Sequence, residues 1–378
     1  MISFGELVWG GVSALLGLVV PKDPRRYVFT GRQYGGNTAP LFEQARAFGI
    51  EPVWVSKRAE VVARGRADIV ATRSLRGLWS VARAGAIVLT HSLGDLGPLL
   101  VPSRRTRLIN VYHGMPIKRV SRADPAFMTR SYARRDLAEQ ARYECMIASS
   151  AATARMFAET FRLPIERVYV TGQPRTDALF RESSAAFVGR YEPQLPAHTR
   201  RILYCPTWRE GASTLLFPFA DRDDGALDAL LERLDAVMFV RTHPNDAGRL
   251  RERRARVVAL QGDVVEEVTD VLPCFDVLIT DYSSVYYDFL LLDRPTIFLP
   301  YDLAEYARSP GFYLPFAQIV SGPLPDSQQP FLQALEEALM RPEQHAAERA
   351  RVRRLIYEHV DARATERVLS RITRPAPR

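Results

Sequence analysis

Short apolar runs alternating with helical patterns limit what this chain can fold into. Strand-length runs occur at residues 27–30, 52–55, 69–71, 86–90, 108–112, 142–148 and 167–170, and again at 201–205, 237–241, 257–259, 277–280 and 296–299. Runs this short, rich in Val, Ile and Leu, have the pattern of strands buried on both faces. Helical candidates such as 40–48 and 74–84 lie between them, which predicts βαβ units and a mostly parallel α/β sheet. At 378 residues the chain exceeds what one hydrophobic core supports, so two such domains are expected. The less regular stretch 181–199, with Pro193 and Pro196, suits the linker between them.

The most explicit unit is 277–306. An apolar strand stops at Asp281-Tyr282-Ser283-Ser284, a helical segment follows over about 284–292, and Asp293-Arg294-Pro295 turns the chain into a second strand. Helix N-termini attract anions because free N–H groups and the positive end of the macrodipole point outward together. Ser283 and Ser284 either add donors to such a site or merely cap the helix. Other strands end in similar chemistry. The run 108–112 leads into His113-Gly114-Met115-Pro116-Ile117-Lys118, the next into Cys205-Pro206-Thr207-Trp208-Arg209, and a third into Arg241-Thr242-His243-Pro244. Ligands of doubly wound sheets bind outside the carboxyl ends of the strands, so these residues predict a shared anion site. Gly114 allows close approach of backbone to a ligand, and Pro244 biases His243 toward extended backbone. His91, His198, His345 and His359 read as structural or surface histidines. The glycine-rich loop 31–37 lacks the GxGxxG spacing of a dinucleotide fingerprint.

Lys plus Arg at 51 against Asp plus Glu at 43 gives a formal charge of +8. This is a mild bias toward anionic partners, and no nucleic acid is expected among them. Cys145, Cys205 and Cys274 show no CxxC spacing, which argues against a disulfide framework or structural zinc. No metal or other cofactor is expected, although Asp281 and Asp288 leave room for weak metal binding. The stretch 7–20 is apolar apart from Ser13 and three glycines, too short for an ordinary membrane span, and without the basic start of a signal peptide. Residues 1–26 either lie in a membrane interface, with Trp9 at headgroup depth and Lys22, Arg25 and Arg26 facing anionic lipid, or form a buried first helix. The arginine-dense segment beyond Pro342 reads as a solvated helix face.

Together the segments YHGMPIK, YCPTWR, RTHP, TGQPRTDALF and TDYSSVYYDFLLLDRPTIFLPYDLAEY resemble the CDP-glycerol glycerophosphotransferases of teichoic acid synthesis and related bacterial polymer assembly. The resemblance covers about residues 27–306. It implies a glycosyltransferase-B fold of two Rossmann-like domains facing a central cleft. An acceptor domain would span 27–190 and a CDP-donor domain 198–345, with helices in 346–378 packing back toward the first. It also implies transfer of glycerol phosphate, or a related polyol phosphate, from CDP-glycerol or another CDP-polyol to a lipid-linked glycan acceptor. CMP would be released by a peripheral protein at the cytoplasmic face of an anionic membrane. Because phosphoryl transfer relies on positioning and charge neutralisation, Thr207, Arg209, Arg241, His243, Asp281, Ser283 and Ser284 are expected at the donor pyrophosphate. His113 is the expected base for the acceptor hydroxyl, with Gly114 and Lys118 beside it. Tyr112 and Met115 stand where the family commonly has Trp and Thr, so any contact of that threonine with donor or acceptor would be missing. The alternatives are a nucleotide-sugar glycosyltransferase and a non-catalytic polyanion binder.

Overall fold

The computed structural model describes residues 4–97, 100–181, 199–209, 214–242, 254–260 and 265–374. His243, His198 and nearly all of the expected linker lie outside the described residues. The chain forms two compact units. The first holds a seven-stranded parallel sheet built from β1 (Asp23–Phe29), β2 (Glu51–Ser56), β3 (Ile69–Ala71), β4 (Ala84–Leu89), β5 (Arg107–Asn110), β6 (Tyr143–Ala148) and β7 (Val168–Val170). Their spatial order is β3-β2-β1-β4-β5-β6-β7. The second holds β8 (Arg200–Cys205), β9 (Ala236–Val240), β10 (Val257–Ala259), β11 (Val277–Thr280) and β12 (Thr296–Phe298), in the order β10-β9-β8-β11-β12. Both orders reverse direction once, between β1 and β4 and between β8 and β11, as in a Rossmann sheet.

The sequence pattern explains these strands. All residues of β4, β9, β11 and β12 are buried, as expected where helices cover both faces of a parallel sheet. Phe29, Trp54, Val88, Ile109 and Ile147 contribute to the core of the first unit. Ile202, Met238, Ile279 and Ile297 do so in the second. The three cysteines are free and buried.

The units are less contiguous in sequence than expected. Residues Pro116–Val120 belong with the second unit, because Arg119 N donates to Gly311 O at 2.9 Å and Lys118 bridges Phe312. Near the C-terminus the helix Ala346–Ile356 also belongs to the second unit, and Ala364–Ile372 to the first. The arginine-dense segment is not simply a solvated face. Arg349 is 2% exposed and donates to Asp293 Oδ1 at 3.1 Å and to the carbonyls of Pro342 and Gln344. Asp293 is left-handed (φ 54°) at the end of the 277–306 helical segment, so this arginine ties down the turn that aims β12.

Residues Phe4–Val19 form a helix with one packed and one exposed face. Ser13 is buried, and its Oγ accepts a bond from Val101 N at 2.9 Å. Val8, Val12, Leu15 and Val19 form an exposed stripe at i, i+4, i+7 and i+11, with Leu18 beside it. Among the described residues, no helix is long and apolar enough to cross a membrane.

Candidate functional site

In the first unit the polar residues gather just beyond β4 and β5, adjacent parallel strands in which Leu89 pairs with Asn110. Val111 N continues the ladder to Leu89 O at 2.9 Å. Tyr112 is then left-handed (φ 48°), a conformation rare for a bulky residue and often found at functional sites. Side chains of extended neighbours point to opposite sides. The left-handed turn breaks that alternation, and the Tyr112 ring stacks on His113 with centroids 4.2 Å apart. His91, two residues past β4, also stacks on His113, at 4.1 Å and within 5° of parallel. His91 Nδ1 lies 2.9 Å from Thr90 Oγ1 and 3.7 Å from the buried Asp95. Burial, then the charges of His113 and Arg32, push the His91 imidazole down to about 2, so it stays neutral. His113 itself is exposed.

Backbone bonds hold this turn in place. Asn37 is fully buried, and its Nδ2 faces three acceptors: Val111 O at 2.9 Å, Tyr112 O at 3.0 Å and Gln173 Oε1 at 2.5 Å. Its Oδ1 accepts from Arg175 N at 3.1 Å, and Arg175 Nη1 donates to His113 O at 2.7 Å. Gly114 has φ 126°, and a Cβ there would lie 2.3 Å from Arg175 Nη2. The close approach expected at this glycine is therefore made to Arg175. Met115 is fully buried, so the side chain at position 115 faces the interior.

In the second unit Thr207 follows β8 and Asp281 follows β11, across the point where strand order reverses. Asp281 Oδ1 accepts from Thr207 N at 2.8 Å, Thr207 Oγ1 at 2.5 Å and Tyr282 N at 2.6 Å. Its Oδ2 accepts from Arg209 Nη2 at 2.9 Å. Arg209 also grips Asp302 through Nε at 2.7 Å and Nη2 at 2.8 Å, and lies within 5.3 Å of the ring centroids of Tyr282, Tyr301 and Tyr306. Burial opposes its charge, but Asp302 and Asp281 more than compensate, so its proton affinity is raised. Arg209, Thr207 and Asp281 thus bind one another and brace the strand ends. Arg241 is half-buried, with Nη1 3.4 Å from Leu260 O. Ser284 precedes the helix Val285–Phe289 in helical backbone and makes no side-chain capping bond. Asp288 points inward, accepting from Thr269 Oγ1 and Tyr357 OH at 3.0 Å each. Among the described residues no three His, Cys, Asp or Glu side chains gather as a metal-ligand group. A cavity of about 510 Å³ in the first unit, lined by Arg26, Arg46, Arg66, Arg76 and Trp79, includes none of the strand-end residues.

Residues 14–374 match the sequence pattern of the CDP-glycerol:poly(glycerophosphate) glycerophosphotransferases. The chain belongs to that family. A teichoic acid glycerol-phosphate transferase of Staphylococcus aureus is 26% identical over 363 residues, covering 91% of each chain. A teichoic acid poly(ribitol-phosphate) polymerase of Bacillus spizizenii is 29% identical over 80% of this chain and 49% of its own length. The structure of the wall teichoic acid polymerase TagF superposes with a TM-score of 0.78 at 22% identity, over 97% of this chain and 94% of that one. The glycerophosphotransferase chain therefore has the glycosyltransferase-B fold, as the sequence resemblance implies. In this family member the sequence reading missed His91, Asn37 and Arg175. His91 was findable, because it follows β4 as His113 follows β5. Arg175 lies in the TGQPRTDALF segment, whereas nothing in the sequence marks Asn37.

Proposed function

We propose that this glycerophosphotransferase moves glycerol phosphate, or a related polyol phosphate, from CDP-glycerol to a hydroxyl of a membrane-linked teichoic acid or other surface glycan, releasing CMP. The reading is carried by the family pattern, which runs through both units from residue 14 to residue 374. The acceptor oxygen attacks the phosphorus that bears glycerol, and the bridging bond to CMP breaks. CMP takes the electron pair and leaves as a phosphate monoester whose second pKa is about 6, so it needs little help from an acid. His113, exposed at the end of β5, receives the acceptor proton, a role worth ~10²–10⁴ in rate. Gly114 shapes the turn that presents it, and Lys118 adds positive charge for the acceptor.

Arg241, Ser283 and Ser284, which follow β9 and β11, supply donors to the pyrophosphate together with His243. Asp281, Thr207 and Arg209 hold those strand ends in register, which is positioning work in a reaction whose loose transition state rewards it. The protein acts as a peripheral enzyme at the cytoplasmic face of an anionic membrane, docked through the exposed stripe of its N-terminal helix.

Purified protein incubated with CDP-glycerol, CDP-ribitol and nucleotide sugars, with label in the donor's terminal phosphate, tests the reaction. Label in the acceptor with stoichiometric CMP is expected. Release of CDP or UDP, with label left on the nucleotide, would overturn the reading in favour of glycosyl transfer.

A further inference from the structure

The stacked histidine pair of the first unit has a consequence beyond the base itself. Two rings about 4 Å from His113 cannot share one face of an imidazole. His91 and Tyr112 therefore clasp it from opposite faces. Stacking occupies the faces of a ring, so any hydrogen bond its nitrogens make lies at its edge. His91 is the better anchored of the two partners. Its strand pairs directly with β5, its Nδ1 reaches Thr90 Oγ1, and Thr90 and Asp95 beside it are each no more than 5% exposed.

From this geometry we infer that His91 is a positioning residue for the reaction. It serves as a flat, uncharged platform that fixes the plane of the His113 ring against the acceptor hydroxyl. The inference rests on the reading of His113 as the base. Enzymes commonly orient a catalytic histidine with a hydrogen-bonded carboxylate. Here a neutral aromatic partner supplies the orientation, and it does so without adding charge beside the anionic reactants.

The charged and titratable groups around the pair are consistent with that role. Arg32, from the loop after β1, opposes protonation of His91. Asp95 faces His91 Nδ1 at 3.7 Å, but burial raises its carboxyl, with Arg32 and Lys57 acting against that rise. Tyr143 OH lies 3.5 Å from His91 O and 3.0 Å from Glu139 Oε1, and burial raises that carboxyl too. On the other side Arg175 holds the His113 carbonyl. Burial and the neighbouring cations thus hold His91 neutral over the range in which a histidine base works.

The test compares His91→Ala, His91→Phe and His113→Ala in the full-length protein, with melting curves, donor affinity by calorimetry, and kcat and kcat/KM against pH. His91→Ala should lower kcat by roughly 10–10²-fold, the scale of a misplaced reacting group, with donor Kd unchanged and a melting curve that still shows a folded protein. His91→Phe restores a flat stacking partner and should recover most of that loss, while keeping the single acidic ionisation in kcat/KM. A His91→Ala variant with unaltered kcat would overturn the inference, as would a Phe variant no better than Ala. Loss of the acidic ionisation in His91→Phe would make His91 the titrating group and overturn it equally. His113→Ala separates the two claims. If it retains kcat, the base reading fails; if it loses kcat while His91→Ala does not, only the platform fails.

Discussion

At the scale of single residues, the most consequential change from sequence to structure concerns Arg209. An arginine after a strand beside Thr207 reads as a phosphate ligand, and its position was legible. Its partners were not, because Asp281 and Asp302 lie 72 and 93 residues away along the chain. Only the fold brings them to one guanidinium. Asp281 is 2% exposed, and Arg209 is itself buried. Removing the arginine leaves a buried carboxylate without its counter-charge, a defect that costs about 3–5 kcal/mol where burial is complete. Asp302 is partly solvated, which reduces its share. Arg209→Ala should therefore lower the melting temperature of the protein by several degrees, and Arg209→Lys should only partly restore it, since an ammonium cannot bond two carboxylates in one plane. If Arg209→Ala melts like the unaltered protein and loses only donor affinity, the arginine is a pyrophosphate ligand after all.

At the scale of elements, β-branched runs were a reliable guide, and every strand expected from them is present within a few residues. Local sequence determines such strands because both of their faces are buried, so apolar residues occupy consecutive positions. The C-terminal helices were harder to place. Amphipathic spacing shows that a helix buries a face without showing what covers it. The helix Ala364–Ile372 buries Val368, Leu369 and Ile372 in the core of the first unit, and Asp177 caps it from a distant segment. Asp177 Oδ1 and Oδ2 accept from Ala364 N and Thr365 N at 2.9 Å each. These first-turn donors have no partner within the helix, and a side-chain cap of this kind is typically worth ~0.5–2 kcal/mol. Asp177→Ala should accordingly speed amide exchange across 364–372 before it affects the rest of the unit. Uniform acceleration throughout the first unit, or none, would show that the cap does not control this helix.

At the scale of the whole molecule, the formal charge of +8 and the N-terminal helix bear on how the protein meets its acceptor. The sequence left two readings of this segment, interfacial or buried, and the helix has both a packed and an exposed face. Ser13 and the bond to Val101 belong to a packed face, and a Cβ on Gly17 would sit 3.5 Å from the backbone of Ser103. The opposite face exposes Leu15 and Leu18 at 60% and 69%. Deleting the helix would uncover the surface it packs against and confuse unfolding with release from lipid. Substitution on the exposed face avoids that difficulty. Each leucine buried in an interface contributes about 1.5–3 kcal/mol. Leu15→Glu with Leu18→Glu should therefore weaken binding to phosphatidylglycerol-containing vesicles by at least ~10²-fold, while the melting temperature stays the same. Turnover on a lipid-linked acceptor should fall, and turnover on a soluble acceptor analogue should not. Vesicle sedimentation and both assays decide it: equal sedimentation of the double variant and the unaltered protein would mean that the stripe does not touch lipid.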